Sequence, residues 1–477
     1  MKAPLHAQRL VRIADAAVLA ALTAALYVAL AGRALVLVKT TVHLPSLSFL
    51  LFFAVAVLAI RHAAVPRPGI VTTIRRWVQR LEERPHAAAA VRAFLVTRPL
   101  VFLVGLFAVV TFGFPPSKGE VLSSEPLENL PARFDAGWYA AIALEGYDRE
   151  WRPGLKQDIA FFPALPLLIR PAGALVGMNH TSHMRERRLL RALWAGVVVS
   201  LAAFGVALFY VARLSDMLTG GHTPAAATLL LASYPFAVFF SAPYTESLFL
   251  LGCVGAFYHF HRAQYVAASL FGLLVGASRP NGFLLAVPLA VLAVEPVVRA
   301  WRGGAPTASI GWRMVGGRLL VASMPVVTML LFTVYLFNVT GVWFAWARTH
   351  AAWGRTWGTR PIAQGWEWLT TEGLMAVFKG VPYDTLNTFA AIFALLLVWP
   401  VFRRLGVAYA LFALVNLVPP IFAGGALSMG RITSTIFPLF IALAAIVPSR
   451  SVPGWAAGFG ILQGLVAALF FTWRELF

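Results

Sequence analysis

Apolar runs of about 16 to 25 residues recur from end to end of the chain, separated by short basic segments and by two longer polar ones. A helix rises about 1.5 Å per residue, so about 20 such residues cross the hydrocarbon of a bilayer. The pattern therefore predicts an all-α polytopic integral membrane protein. Its spans are expected at about 14–38, 44–60, 94–113, 161–178, 189–212, 245–261, 264–278, 281–298, 319–340, 386–402, 406–424, 432–447 and 455–472, about thirteen in all. The stretch 224–243 is equally apolar, but a full crossing there would invert everything after it. It is read as re-entrant, or as broken near Pro235.

Composition sharpens this reading. Of 477 residues, 60% are hydrophobic and 12% charged, against roughly 25% charge for a water-soluble domain. A soluble globule, a coiled coil and a disordered tail are excluded. The net charge of +20 would point to nucleic acid in a soluble protein. Here the basic residues gather in short segments: Lys2, Arg9 and Arg12; Arg61, Arg67, Arg75, Arg76, Arg80, Arg84 and Arg92; Arg185, Arg187, Arg188 and Arg191; Arg299, Arg302, Arg313 and Arg318; Arg403 and Arg404. That is how the positive-inside rule marks a cytoplasmic face, so membrane lipid, not nucleic acid, accounts for the charge. With the N-terminus inside, segments 114–160 and 341–385 and the turns near Glu246, Arg279 and Arg431 fall outside. The first apolar run lacks a small-residue cleavage site and reads as a retained span. The arginine-rich stretch 61–92 is either an amphipathic surface helix or a solvated connector. The sole cysteine, Cys253, can build neither a disulfide nor a thiolate zinc site within one chain.

Eight of the 19 acidic residues fall within 114–160: Glu120, Glu125, Glu128, Asp135, Glu145, Asp148, Glu150 and Asp158. A loop this long is usually functional or disordered. Phe134, Trp138, Tyr139, Tyr147, Trp151, Phe161 and Phe162 argue that it folds back on the membrane face. Asp135 either caps a helix starting at Ala136, with Trp138 and Tyr139 as interfacial anchors, or takes a proton as a general base. Glu246, two residues after Tyr244, is either a dipole partner in the first turn of a helix or a polar group facing a cavity. Arg279 and Arg431 stand at outer helix boundaries, where a guanidinium can hold a phosphate bidentately or simply snorkel. Trp343, Trp346, Trp353, Trp357, Trp366 and Trp368 lie among Arg348, Arg355 and Arg360. Flat rings beside cations suit sugar stacking and phosphate contact, and they equally suit an interfacial belt.

No metal site is expected. His180 and His183 lie in a basic loop, His259 and His261 point to different helix faces, and Asp148 and Glu150 read as a solvated loop. There is no P-loop, dinucleotide fingerprint or nucleophile elbow, so neither a nucleotide nor another cofactor is called for.

Four motifs occur in order: Phe134-Asp135-Ala-Gly-Trp138-Tyr139 with Gly146-Tyr147; Phe161-Phe162-Pro163-Ala-Leu-Pro166 through Arg170; Ser241-Ala-Pro243-Tyr244-Thr-Glu246-Ser247; and Ser278-Arg279-Pro280-Asn-Gly282. Together they resemble the PIG-V family, which holds the second mannosyltransferase of glycosylphosphatidylinositol synthesis and its bacterial relatives. The likeness is clearest over about 94–300 and continues faintly at Trp353-Gly-Arg355 and Gly430-Arg431. Phe134 stands where the family usually has tryptophan, and Ser278 where it usually has threonine. The resemblance implies a GT-C-like helix bundle in a bacterial plasma membrane, with its active site on the extracytoplasmic side. It implies an inverting transfer of a hexose, mannose in the family, from a polyprenyl-phosphate donor to a glycolipid, glycan or protein acceptor. Asp135 would be the base and Glu246 its catalytic partner; Arg279, Arg431, Arg355, Trp138, Tyr139 and Tyr244 would bind substrate.

Three segments are expected: an N-terminal helix pair with a basic stretch (1–92), a catalytic membrane module (93–300), and C-terminal helices with the aromatic-basic loop (301–477). The alternative is a lipid or glycolipid flippase; transporters commonly show two related halves, and none is visible.

Overall fold

The computed structural model describes residues 5–31, 34–37, 40–64, 79–115, 122–179, 184–221, 223–303, 311–355, 358, 363, 367, 370–371 and 382–476. Helices α1 (Leu5–Ala31) and α2 (Leu47–Ala64) are joined across a short antiparallel hairpin, β1 (Ala34–Leu37) and β2 (Thr40–His43), with Ala34 opposite His43 and Leu37 opposite Thr40. This hairpin departs from a purely helical chain; Val36, Thr40, Thr41 and Val42 are β-branched and favour it. Asp15 of α1 accepts a hydrogen bond from Arg61 Nε of α2 at 3.2 Å.

The rest is helical: α3 (Pro85–Phe112), α4 (Ala136–Glu145), α5 (Ala164–Leu175), α6 (Arg185–Thr219), α7 (Pro224–Ser233), α8 (Glu246–His261), α9 (Tyr265–Ser278), α10 (Ala286–Arg302), α11 (Trp312–Thr340), α12 (Ala345–Thr349), α13 (Pro382–Leu405), α14 (Val407–Gly424), α15 (Met429–Ser434), α16 (Phe437–Ile446) and α17 (Val452–Phe471). Among the described residues, seven helices have the length and hydropathy to cross a membrane, and eight if the bent pair Pro224–Ser233 and Pro235–Ser241 counts as one. This is a polytopic membrane protein. In α3, Ala89, Ala93, Val101 and Ala108 are buried while Leu95, Leu103, Phe107 and Val110 are exposed. Small residues bring helices close on one side, and the large ones on the other suit lipid.

Helix α6, with 35 residues, serves as a ruler for the topology. Near its start Arg185 pairs with Glu145 at 2.7 Å and Trp194 Nε1 donates to the Glu128 carbonyl at 3.0 Å. Near its end Asp216 meets His86 of α3 at 3.0 Å. One end of the bundle thus carries the acidic-aromatic segment, and the other carries the start of α3.

Two expectations are corrected against this ruler. The segment 161–178 does not cross. Helix α5 is 12 residues long, Arg188 and Arg191 donate to the carbonyls of Met178 and Gly177 at 2.9 Å, and Arg170 donates to the Ala143 carbonyl at 3.1 Å. Ile169 lies against Gly196, so α5 covers only roughly 12 Å of α6. The segment 224–243, in contrast, connects the two ends. Thr223 meets Thr219 at 2.8 Å and Pro243 packs on Gly196, positions roughly 35 Å apart along α6, which is about the thickness of bilayer hydrocarbon. It crosses with an 84° bend between its two helical pieces at Pro235.

These two reversals cancel for everything downstream, so Glu246, Arg279 and Arg431 stay at the end that holds Asp135. They do not cancel for Arg185, Arg187, Arg188 and Arg191, which move from the expected cytoplasmic end to the Asp135 end. The chain turns after Leu175, where the Gly177 and Met178 amides fold back on the carbonyls of Ala174 and Gly173, while the distribution of basic loops favoured a crossing there.

Candidate active site

Asp135 immediately precedes α4 with helical backbone angles, and its side chain makes no capping hydrogen bond. The carboxylate is therefore not spent on the helix. Phe134 before it takes a positive φ of 47°, an uncommon conformation for a residue with a side chain. The Asp135 amide donates to the Tyr244 hydroxyl at 3.0 Å, and that hydroxyl donates to the Arg133 carbonyl at 3.2 Å. Asp135 Oδ2 accepts Arg431 Nη1 at 2.7 Å.

Glu246 opens α8 and is fully buried. Its Oε1 accepts Arg431 Nε and lies 3.3 Å from Arg279 Nη1. Arg279 stands in extended conformation where α9 stops and the turn Pro280–Leu285 begins; Pro280, lacking a backbone donor, enforces that stop. Arg431 is carried by the six-residue α15. Gly430 beside it has no room for a Cβ, because the Phe236 ring lies on it; its amide donates to Asn387 Oδ1 at 2.7 Å. The Arg431 guanidinium also sits 4.6 Å from the Tyr244 ring centroid.

Four charged groups thus alternate in a row: Asp135, Arg431, Glu246, Arg279. Tyr139 joins them through Thr245, oxygen to oxygen at 3.5 Å. Arg355 and Trp138 border the row. Arg355 donates to the Leu427 carbonyl at 3.5 Å. Burial, then the nearby Arg431 and Arg279, lower its pKa to about 10, so it stays charged near neutrality. Trp138 stacks on Phe161 at 5.7 Å and meets the edge of Trp353, over which Lys156 Nζ sits at 4.9 Å. Burial pushes His350 on the same wall down to about 4, leaving it neutral. The eight residues singled out in the sequence therefore share one place at one end of the bundle.

Two carboxylates face three guanidinium groups, so the cluster holds one positive charge in excess. Glu246 Oε2 and Arg279 Nη1 are buried without a hydrogen-bond partner, as are His350 Nε2 and Trp353 Nε1 in the wall. Buried polar atoms are nearly always satisfied, so the atoms left without a hydrogen bond here mark where another molecule's polar groups belong.

Residues 113–301 match the family model described as mannosyltransferase (PIG-V). This stretch is similar to the PIG-V family. It contains Asp135, Glu246 and Arg279 and ends before Arg355 and Arg431. No curated protein matches the chain. Among solved structures, an oligosaccharyltransferase of Archaeoglobus fulgidus, in a complex with zinc and sulfate, aligns with a TM-score of 0.39 and 13% identity over 79% of this chain and 53% of that one. The chain spans about half the length of that protein.

Other candidates lie elsewhere. Trp346 packs on Phe162 and donates to Thr333 at 2.9 Å, and Trp343 stacks on Phe337. Asp148 is tied to Gln157 and to the Asp158 carboxylate. His259 and His261 bond Tyr210 and Tyr409. No group of three or more metal-type ligands occurs among the described residues. His180, His183, Trp357, Arg360, Trp366 and Trp368 lie outside the described residues.

Sequence reasoning missed the groups that hold the bent crossing at Pro235. The bend frees backbone carbonyls, and Arg98 of α3 donates to those of Ala232 at 2.7 Å and Ala237 at 2.6 Å and to Ser241 Oγ at 3.0 Å. Gln463 of α17 donates to the carbonyls of Ala232 at 3.0 Å and Tyr234 at 2.8 Å. A lone arginine and a lone glutamine inside apolar runs were the available signal.

Proposed function

We propose that the chain is a membrane glycosyltransferase of the GT-C type, an inverting mannosyltransferase that takes its hexose from a polyprenyl-phosphate donor on the extracytoplasmic side of the plasma membrane. The observation that carries this reading is the alternating row Asp135, Arg431, Glu246 and Arg279, which with the bordering Arg355 holds one positive charge in excess. In the proposed step the acceptor hydroxyl gives its proton to Asp135 while its oxygen bonds to the anomeric carbon. The bond from that carbon to the lipid phosphate breaks, and the electron pair leaves with the phosphate.

Arg431, held between two carboxylates, aims Asp135 through the 2.7 Å hydrogen bond to its Oδ2. Arg279 and Arg355 supply the cation for the departing phosphate; preorganised electrostatic stabilisation of this kind is often the largest catalytic contribution. Glu246 orients the sugar or the acceptor, and Trp138, Tyr139 and Tyr244 wall the crevice. The concentration of Arg84, Arg92, Arg299, Arg302, Arg403 and Arg404 at the opposite end supports an extracytoplasmic site.

The test is transfer from a polyprenyl-phosphate mannose in membranes carrying Asp135→Asn. General-base loss is worth about 10²–10⁴ in rate, so transfer should disappear while the amount of inserted protein stays constant. Full activity in that variant would remove the proposed base.

A further inference from the structure

A cavity of about 270 Å³ lies against α4, lined among others by Arg133, Phe134, Trp138, Arg185, Leu189 and Trp473. Asp135, Glu246, Arg279 and Arg431 are not in its lining. Two of its walls carry buried donors without a partner: Arg133 Nη2 and Trp473 Nε1. Both are rigidly placed. Arg133 donates through Nε to the Phe471 carbonyl at 2.6 Å and through Nη1 to those of Asn129 and Ala132 at 2.7 Å. The Trp473 ring packs 4.8 Å from Phe134.

The open atoms are donors only, and the lining's charged side chains are cations, so the complementary ligand accepts hydrogen bonds and is negative. Glu145, the partner of the lining's Arg185, is already held by it through two bonds of 2.7 and 3.1 Å. The remaining lining includes Leu122 and Leu193 and is apolar, which suits an amphiphile. A single ordered water needs only about 10–15 Å³, so the space is much larger than bridging water requires.

We propose that this cavity binds the phosphate of an anionic membrane lipid, at a site separate from the reaction centre. The phosphate oxygens take Arg133 Nη2 and Trp473 Nε1, and the glycerol end rests on Leu189 and Leu193. Phe134 and Trp138 are shared between this cavity and the surroundings of Asp135, so the lipid buttresses the helix that presents the carboxylate.

The experiment is native mass spectrometry of the full chain in mixed micelles of phosphatidylglycerol and phosphatidylcholine. One phosphatidylglycerol per chain should be retained in preference to phosphatidylcholine. Trp473→Phe combined with Arg185→Gln should weaken that preference about tenfold or more, or about 1.4 kcal/mol, at an unchanged melting temperature. Equal retention of both lipids, or an unaltered preference in the double variant, overturns the proposal. Displacement of the lipid by inorganic phosphate would show a site for the free ion and overturn it too. Should the double variant fail to fold, fluorinated tryptophan at position 473 in the wild-type chain decides: its ¹⁹F signal should move with phosphatidylglycerol and stay with phosphatidylcholine, and a signal that responds to neither sinks the idea.

Discussion

Two buried arginines in this protein are used in opposite ways. Arg98 has no carboxylate among its partners: Nε donates to Thr97 Oγ1, Nη1 to Ala237 and Ser241, and Nη2 to Ala232. Each nitrogen answers an oxygen that the bend at Pro235 or its surroundings would otherwise leave open. Arg431 is bound to Asp135 and Glu246, and open atoms remain beside it on Glu246 and Arg279. A polar group whose surroundings balance to nothing left over is architecture. One whose surroundings keep a surplus is a place where chemistry can enter, and buried charge is in any case weak evidence for stability.

The sharpest way to break the contrast is Arg98→Met. It removes the donor that meets the Ala232 and Ala237 carbonyls and Ser241 Oγ, at about 1–3 kcal/mol for each group left unsatisfied. The folded protein should be lost or its melting temperature fall steeply, and Arg98→Lys should not restore it, because an ammonium lacks the planar fork. An unchanged melting curve in Arg98→Met would show that the bend needs no support.

Arg279→Gln should do the reverse. Its guanidinium has no hydrogen bond to lose, only the 3.3 Å ion pair with Glu246, so melting should fall less than in Arg98→Met, while transfer drops about 10- to 100-fold, the worth of one charge-assisted contact. Equal losses of stability in the two arginine variants would erase the distinction.

A smaller effect concerns the segment that follows α4. Burial raises Asp158 from an ordinary 3.8 to about 6, partly offset by hydrogen bonds from the Asp148 and Ile159 amides. A carboxyl whose folded pKa is raised contributes stability that is complete below about 3.8 and is lost as pH climbs through about 6. Hydrogen exchange across 146–161, corrected for its intrinsic pH dependence, should therefore speed up modestly from pH 4 to pH 7. Asp158→Asn should remove that change.

The sequence made the Asp135, Glu246 and Arg279 neighbourhoods legible because each pairs a charged residue with local punctuation: a helix start, or a proline that ends one. Arg431 and Arg355 were harder, since their partners lie far away in the chain. Arg98 and Gln463 were invisible to hydropathy averaging, which absorbs one polar residue in an apolar run. The exchange of roles between 161–178 and 224–243 has a different origin. Both are apolar, and a rule about basic loops chose between them, but Arg185 to Arg191 obey local demands instead: Arg188 and Arg191 bond the Met178 and Gly177 carbonyls in the turn that follows α5.

One consequence follows from where α15 stands in the chain. Arg431 is made 296 residues after Asp135 and 185 after Glu246, so during synthesis both acids enter the membrane well before the cation that bridges them exists. Under the proposed chemistry, a nascent polypeptide is inert until its late helices dock. The fold thereby links competence to completed translation, and an interrupted product cannot discharge sugar from the lipid pool.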